Sequence, residues 1–231
     1  IITKLTKDKF FVVINAGCKE KDIAWIKKHL PDNLKLTELK DRSLIAIQGE
    51  KAEVILYDFI VGINLADLPY MNMAECKLKD GSDVYVSRTG YTGEDGFEVS
   101  IANDKAANFW LKLSENNLVK GIGLGARDSL RLEMGYPLYG HDLDETTSPI
   151  EAGLSWVISK NNKNFIGFER IMAEKVNVVS KKRMGVKLLD RGIAREGSEI
   201  RNKLGNKIGV LSSGGFSPNL KVSIGQGYIS S

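Results

Sequence analysis

Short apolar runs alternate with amphipathic segments along roughly the first 160 residues of the chain. Residues 10–14 predict a buried strand, and residues 34–39 and 43–48 predict two more. Residues 20–30 and 51–61 carry apolar side chains at helical spacing, so each segment predicts a helix. A strand, a helix, two strands and a helix in this order indicate an α+β fold, in which helices pack on a mostly antiparallel sheet.

A glycine-rich hairpin is predicted at residues 87–100, S-R-T-G-Y-T-G-E-D-G-F-E-V-S, between two strand-like runs. If Phe97, Val99 and Ile101 point into a core, the period of two places Glu98 on the opposite face of its strand. Spacing alone favours an ordinary solvent-facing acid at Glu98 over a carboxylate aimed into a cleft. The glycines fit a tight turn as readily as a loop shaped around a ligand.

Two further helices are predicted, at residues 104–116 with Asp104 as the N-cap and at residues 126–134. On the second helix, Arg127 and Arg131 fall together beside an apolar stripe. A guanidinium in that position is either a structural fork that binds carboxylates or a clamp for substrate, and the sequence does not separate these alternatives.

The character of the chain changes after residue 178, where short strand candidates are separated by Gly, Asn and Ser. This spacing predicts a small all-β unit, a barrel or a sandwich. We therefore predict a first domain over residues 1–160, a helical linker over 161–180 and a C-terminal β-barrel over 181–231. Residues 154–158 predict a further strand, and the Ser- and Gly-rich residues 212–218 predict a loop between two late strands.

Composition excludes several classes of function. The net charge of +4 arises from 33 basic and 29 acidic residues spread along all 231 positions, without the basic block that nucleic-acid binding requires. Two cysteines, Cys18 and Cys76, lack metal-ligand spacing and predict free thiols, and two histidines argue against a His-rich metal site. No apolar run reaches the length of a membrane span.

Six motifs, in this order, resemble the T protein of the glycine cleavage system, a family of tetrahydrofolate-dependent aminomethyltransferases. The longest motif, G-L-G-A-R-D-S-L-R-L-E-M-G-Y-P-L-Y-G-H-D, occupies residues 123–142. The others are N-A-G-C-K-E-K-D at 15–22, R-T-G-Y-T-G-E-D-G-F-E at 88–98, P-I-E-A-G-L at 149–154, F-I-G at 165–167 and S-G-G-F-S-P at 213–218.

The resemblance implies a folate-binding aminomethyltransferase fold followed by a C-terminal barrel. It also implies a reaction in which tetrahydrofolate takes the one-carbon unit from an aminomethylated lipoyl carrier, the H protein, with release of ammonia and 5,10-methylenetetrahydrofolate. We expect neither a metal nor a flavin in this chain. We also expect that neither nucleic acid nor a membrane is a partner. The expected location is a bacterial cytoplasm, with a mitochondrial matrix as the alternative.

The resemblance assigns Glu98 to the amino-pyrimidine edge of the pterin, since a carboxylate accepts two parallel hydrogen bonds. Arg127 would meet a negatively charged part of the folate or stabilise the carboxylates of the pocket. The remaining residues that the resemblance places in or near the folate pocket are Asn15, Tyr91, Tyr139 and Arg195. For Asn15, local sequence leaves a second alternative, a cap of the turn that follows it.

One departure from the family pattern concerns the catalytic aspartate, which we expect one or two positions before Ile1. We therefore expect a fragment that lacks parts of both ends and has an impaired site, and we assign no catalytic residue within the chain. Alternative assignments are the folate-binding module of a dimethylglycine- or sarcosine-oxidising flavoenzyme and a non-catalytic folate-binding relative. An iron–sulfur assembly relative is disfavoured, because the segment at 161–170 lacks the cysteine of that group.

Overall fold

The computed structural model describes all residues from 1 to 231 and divides them into two units. The first unit contains residues 1–90 and 94–121, and the second contains residues 91–93 and 122–231. The two units are defined by contacts between residues in the structure. The division predicted at residues 160–180 instead separates two sequence domains, and it stays a prediction.

A five-stranded antiparallel sheet organises the first unit. Its strand order is β3–β7–β6–β5–β4, and a separate two-stranded sheet pairs β1 with β2. The strands are β1 Ile2–Lys4, β2 Phe10–Val12, β3 Arg42–Gln48, β4 Ile60–Val61, β5 Met73–Leu78, β6 Asp83–Ser87 and β7 Gly96–Ala102. The helices of this unit are α1 Lys19–His29, α2 Ala52–Tyr57 and α3 Asn103–Ser114.

The core of the first unit lies between this sheet and its helices. Phe97, Val99 and Ile101 alternate along β7 and are fully buried, as their spacing predicts. Phe109 of α3 is buried as well and meets the ring of Phe59 edge-on, with 5.5 Å between ring centroids. Helices packed on an antiparallel sheet confirm the predicted α+β class.

The second unit contains a four-stranded antiparallel sheet of order β8–β11–β10–β9. Its helices are α4 Leu124–Glu133 and α5 Phe168–Val176, and its strands are β8 Lys181–Lys187, β9 Glu199–Arg201, β10 Lys207–Ser217 and β11 Val222–Ser230. Gly135 follows α4 with a φ of +68°, the left-handed conformation that commonly ends a helix at glycine. The predicted all-β region therefore begins at β8, close to the expected position.

One strand prediction is correct only in part and two are wrong. The run at 10–14 contains a strand, β2, but Phe10 is 58% exposed instead of buried, because this strand pairs with β1 alone and lies outside the five-stranded sheet. Residues 34–39 form no strand. Residues 154–158 contain a 3-10 turn at Ser155–Val157 instead of a strand, and Trp156 is 78% exposed.

Three further local predictions are corrected by backbone pairing. The helix predicted at 51–61 ends at Tyr57, because the chain turns and pairs Ile60–Val61 with β5. The loop predicted at 212–218 belongs to β10 as far as Ser217, since its backbone pairs with β11. Asp104 does not cap α3: the N-cap residue is Ala102, and Asp104 lies in the first turn of the helix.

Candidate functional site

Glu98 lies on β7, in the interior of the five-stranded sheet, on the face opposite the buried Phe97 and Val99. Its partners across the neighbouring strands are Ala46 of β3 and Ser87 of β6, both small residues. The side chain is half-buried. Sequence spacing alone favoured a solvent-facing acid here, whereas the structure places a half-buried carboxylate between two small cross-strand neighbours.

A hydroxyl group fixes one oxygen of this carboxylate. Thr89 Oγ1 donates to Glu98 Oε2 over 2.5 Å, and Ser87 Oγ lies 2.9 Å from Thr89 Oγ1. No protein group donates a hydrogen bond to the second oxygen, Oε1 of Glu98. The arrangement therefore presents a partly shielded carboxylate that retains capacity to accept hydrogen bonds.

The glycines of the hairpin admit the side chain of Gln48. A Cβ at Gly90 would lie 1.9 Å from Gln48 Oε1, and a Cβ at Gly96 would lie 2.6 Å from Gln48 Cδ. Gln48 Nε2 donates to the carbonyl oxygens of Thr89, at 3.0 Å, and Phe97, at 3.2 Å. Glycine is therefore needed at positions 90 and 96, because the side-chain amide of Gln48 packs against the hairpin backbone at both places.

Arg88 anchors the same hairpin. Its guanidinium donates two hydrogen bonds to the carboxylate of Asp95, at 2.9 and 2.6 Å, and a third to Glu53 at 2.9 Å. The charge-assisted contact with Arg88 lowers the pKa of the Asp95 carboxyl below its usual range. Through Arg88, Asp95 and Glu53 hold the hairpin in place.

In the second unit, Tyr91 lies between an arginine and a second tyrosine. The guanidinium carbon of Arg127 is 4.8 Å from the Tyr91 ring centroid, and the ring of Tyr136 stacks on Tyr91 at 5.5 Å. The Tyr91 hydroxyl donates to the carbonyl oxygen of Pro137 over 2.5 Å. Burial raises the pKa of Tyr91, so the phenol stays protonated at neutral pH.

Arg127 and Arg131, which the sequence left equivalent, have different surroundings. Arg131 is 3% exposed, and its guanidinium donates to Asp142 Oδ2 at 2.7 Å, Asp128 Oδ1 at 2.7 Å and Ser213 Oγ at 3.0 Å. Arg127 is exposed and lies over an aromatic ring. Arg131 is therefore the structural fork, and only Arg127 remains accessible to a ligand.

Asp142 is the centre of this buried polar network. Its side chain is fully enclosed, and the groups that donate to it are Arg131, Gln226, Ser212, Ser213 and the backbone N–H of Leu138. A bulge between Leu211 and Ser213 in β10 breaks the normal alternation of the strand. Two consecutive serines can therefore both turn their hydroxyls toward one carboxylate.

Of the other residues that the resemblance assigned, Asn15 is exposed in the first unit and precedes a 3-10 turn at Ala16–Cys18. Its side chain makes no capping hydrogen bond, so the predicted alternative of a side-chain cap is wrong. In the second unit, Tyr139 is half-buried and pairs with Leu143 through an isolated bridge, and Arg195 is exposed. Among the assigned residues of the second unit, Tyr91 and Arg127 are in direct contact.

Cys76 is not suited to act as a nucleophile. Cys18 and Cys76 are separate free thiols, and burial raises the pKa of the Cys76 thiol to about 11. A thiol with that pKa holds little thiolate at neutral pH. No group of three or more His, Cys, Asp or Glu side chains in the structure could hold a metal ion.

Sequence reasoning missed Thr89, Asp142 and Gln226. Asp142 stands at the end of the longest motif without an assigned role, yet it is 1% exposed. Its partners Ser213 and Gln226 follow it by 71 and 84 residues, and no local pattern announces such pairings. Thr89 carried one available signal: it lies next to Gly90 and two residues beyond Ser87, which pairs with Glu98 across the hairpin.

Comparison with known proteins decides the family. Residues 1–162 match the family model described as the GCVT N-terminal domain, and residues 181–231 match the glycine cleavage T-protein C-terminal barrel domain. The chain belongs to the glycine cleavage T-protein family. The resemblance inferred from the motifs is thereby confirmed, together with the predicted fold class.

Two relatives of this T-protein chain are named aminomethyltransferases. The protein from Halothermothrix orenii is 42% identical over 97% of this chain and 63% of its own length. The mitochondrial protein from Saccharomyces cerevisiae is 43% identical over 99% of this chain and 62% of its own length. The chain therefore spans a little under two thirds of the relatives that it matches.

A solved structure shares the fold of this T-protein chain. The crystal structure of the glycine cleavage system aminomethyltransferase T from Bartonella henselae matches with a TM-score of 0.90 at 35% sequence identity. The match covers 99% of this chain and 63% of that structure.

None of the helices in the present structure has the length and apolar character required to cross a membrane.

Proposed function

We propose that this chain forms part of an aminomethyltransferase that moves a one-carbon unit to tetrahydrofolate. In the reaction, the carbon–sulfur and carbon–nitrogen bonds of the aminomethyl group break, and the carbon bonds to two nitrogens of tetrahydrofolate. The two protons displaced from those nitrogens leave on ammonia and on the dihydrolipoyl thiol, so the products are ammonia, 5,10-methylenetetrahydrofolate and the dihydrolipoyl carrier. Family membership over nearly the whole chain carries this proposal.

Glu98 is the residue that we assign to the pterin. The amino-pyrimidine edge of a pterin offers two adjacent N–H donors, and a carboxylate accepts such a pair through parallel hydrogen bonds. Glu98 Oε1 accepts no hydrogen bond from the protein, and Oε2 accepts one. A carboxylate flanked in its sheet by Ala46 and Ser87 supports the assignment, because these small side chains leave room for a flat ring.

In the second unit, we assign four residues to the folate: Tyr91, Arg127, Tyr139 and Arg195. Tyr91 and Arg127 are supported by their mutual contact, since a guanidinium held over a ring is oriented while its N–H donors remain accessible. Arg127 and Arg195 are exposed cations suited to carboxylates of the folate tail. Asn15, exposed in the first unit, is assigned to hydrogen bonding with the ligand.

The proposed partner is a lipoyl carrier protein of the glycine cleavage system, which delivers the aminomethyl group. The proposed chemistry uses tetrahydrofolate as the acceptor and requires neither a metal nor a flavin from this chain. A bacterial cytoplasm is the compartment that we propose, with a mitochondrial matrix as the alternative, because one of the matching relatives is a mitochondrial protein.

Calorimetry with tetrahydrofolate on the full-length protein tests the assignment of Glu98. Glu98→Gln keeps the shape of the side chain but replaces one acceptor oxygen by a donor, and we expect affinity to fall about 10- to 100-fold. Glu50→Gln, an exposed acid at the end of β3, is the matched control and should bind like the wild type. Unchanged affinity in the Glu98 variant would remove this residue from the pterin site.

Ammonia release tests the activity itself. Full-length protein with aminomethylated carrier and tetrahydrofolate should release ammonia well above a blank without carrier. Tight folate binding without that release would favour the flavoenzyme module or a non-catalytic relative.

A further inference from the structure

We propose that Thr89 is a positioning residue that fixes the carboxylate of Glu98 for recognition of a ligand edge with two adjacent donors. The inference rests on the proposed role of Glu98 in pterin binding. Thr89 would not touch the ligand itself; it would act through the orientation of the carboxylate.

The contact is short and enclosed. Thr89 is 2% exposed, and its Oγ1 lies 2.5 Å from Glu98 Oε2. A carboxylate can only accept, so the single proton of the Thr89 hydroxyl belongs to this bond. The Ser87 hydroxyl then has two acceptors within reach, Thr89 Oγ1 at 2.9 Å and the backbone carbonyl oxygen of Glu98 at 3.3 Å, of which Thr89 is the nearer. Ser87 thus supports the hydroxyl of Thr89, which in turn binds Glu98.

The backbone that carries Thr89 is held on both sides. Gln48 Nε2 donates to the Thr89 carbonyl oxygen, and the missing Cβ of Gly90 gives that amide its space. Arg88, the preceding residue, is anchored by Asp95 and Glu53. The position of the Thr89 hydroxyl is therefore set by the hairpin before any ligand arrives.

A fixed hydroxyl restricts the one torsion that matters for the carboxylate. The terminal torsion of glutamate is broad, so an unrestrained carboxylate turns freely about its last bond. The bond from Thr89 holds Oε2 in place and so restricts rotation about the last torsion, while Oε1 is left without a protein donor. Two parallel hydrogen bonds need both oxygens in the plane of the ligand edge, whereas a single hydrogen bond tolerates rotation.

The experiment compares two ligands in the full-length protein: tetrahydrofolate and its analogue with a methyl group in place of the 2-amino group. The analogue keeps one N–H donor and loses the second. Thr89→Val preserves the shape of the side chain, and we expect it to weaken the binding of tetrahydrofolate about three- to tenfold. The same variant should change binding of the analogue by less than about twofold, because a single donor places a weaker demand on the carboxylate plane.

Two variants separate positioning from general damage to the fold. Thr89→Ser keeps the hydroxyl and should restore tetrahydrofolate binding to within about twofold of the wild type. In a Glu98→Gln background, Thr89→Val should add no further loss, because the two residues act on one interaction. Equal losses for both ligands, or a serine variant as weak as the valine variant, would overturn the proposal.

Ser87→Ala provides an independent readout if the valine variant does not fold. It removes the donor to Thr89 and should reduce the preference for tetrahydrofolate over the analogue by about twofold; an unchanged preference then overturns the proposal.

If Glu98→Gln itself leaves affinity unchanged, the pterin assignment fails. If only the Thr89 and Ser87 variants have no effect, the pterin assignment stands and the positioning role fails.

Discussion

Glu98 in the first unit and Asp142 in the second are carboxylates in opposite surroundings. Asp142 is sealed and accepts hydrogen bonds from Arg131, Gln226, Ser212, Ser213 and the backbone of Leu138. Glu98 is half-buried and accepts one side-chain hydrogen bond, from Thr89. The first carboxylate is fully satisfied within the protein, and the second keeps acceptor capacity.

This difference sets how much hydrogen-bonding capacity each carboxylate has left for a ligand. A buried charge is tolerated when hydrogen bonds and a counter-charge replace water, and Asp142 has both. Such a group has no acceptor left for a ligand. One oxygen of Glu98 is held by Thr89 and the other accepts no hydrogen bond from the protein, which supports the proposed role of this carboxylate in recognition.

The largest expected effect comes from breaking the sealed network. Asp142→Asn removes the counter-charge of Arg131 while it keeps the shape of the side chain, and we expect a loss of about 3–5 kcal/mol in the free energy of unfolding. Urea denaturation of the full-length protein measures it. Asp128→Asn is the matched control: Asp128 also binds Arg131 but is 57% exposed, so its loss should stay below about 1 kcal/mol. Equal losses would contradict the distinction between sealed and open charges.

A smaller effect is expected from the backbone that frames Glu98. Gly90→Ala would place a methyl group 1.9 Å from Gln48 Oε1, and Gln48 must then leave the carbonyl oxygens of Thr89 and Phe97. We expect a loss of about 1–2 kcal/mol in unfolding free energy, measured by urea denaturation. In a Gln48→Ala background the same substitution should cost much less. An equal cost there would show that the strain comes from the backbone and not from Gln48.

Variants of the stacked residues Tyr91 and Tyr136 measure how much a single hydrogen bond contributes to the stability of the second unit. Tyr91→Phe removes the donor to the Pro137 carbonyl oxygen, and we expect a loss of about 1 kcal/mol in unfolding free energy, seen as a lower Tm. Tyr136→Phe deletes a hydroxyl without a hydrogen bond and leaves the stacked ring in place, so its Tm should match the wild type. Similar shifts in both variants would assign the effect to stacking instead of to the hydroxyl.

The smallest effect concerns an exposed carboxylate and depends on pH. Hydrogen bonds from Thr146 and then Thr147 lower the pKa of Asp144 to about 2. Because the folded pKa lies below the unfolded value of about 3.9, the contribution to stability is present above pH 4 and is lost as pH falls toward 2.

Asp144→Ala should therefore be less stable than the wild type at pH 7 by no more than about 1 kcal/mol, since solvent screens this site. The difference between the two proteins should shrink between pH 4 and pH 2 in parallel denaturation curves. A difference that is constant over this range would mean that the charge of Asp144 contributes nothing.

Regular elements with strong periodicity were predictable from the sequence. The spacing of Phe97, Val99 and Ile101 placed β7 in the core, and helices α1, α3 and α4 begin and end within a few residues of their predicted bounds. The runs at 34–39 and 154–158 were misread, because a short apolar run does not show whether a neighbouring strand exists to pair with it. Pairing partners are distant in sequence and leave no local signal.

The candidate site was predictable only by resemblance. Spacing put Glu98 on the correct face but read it as an ordinary surface acid, and it left Arg127 and Arg131 equivalent. The tertiary structure separated the two arginines through Asp142, which follows Arg131 by 11 residues, and Ser213, which follows it by 82. The folate roles of all six assigned residues stay predictions: Asn15, Tyr91, Glu98, Arg127, Tyr139 and Arg195.

By itself, the sequence determined which residues alternate into the core, where the glycines lie and, through its motifs, the family. The tertiary structure decided what each charged group does. Hydrophobic periodicity is a local property of consecutive residues, whereas the burial of a carboxylate depends on groups brought together from distant parts of the chain. For that reason Asp142 became a sealed structural charge, while Glu98, beside Thr89 and opposite Ala46, kept an oxygen that accepts no hydrogen bond from the protein.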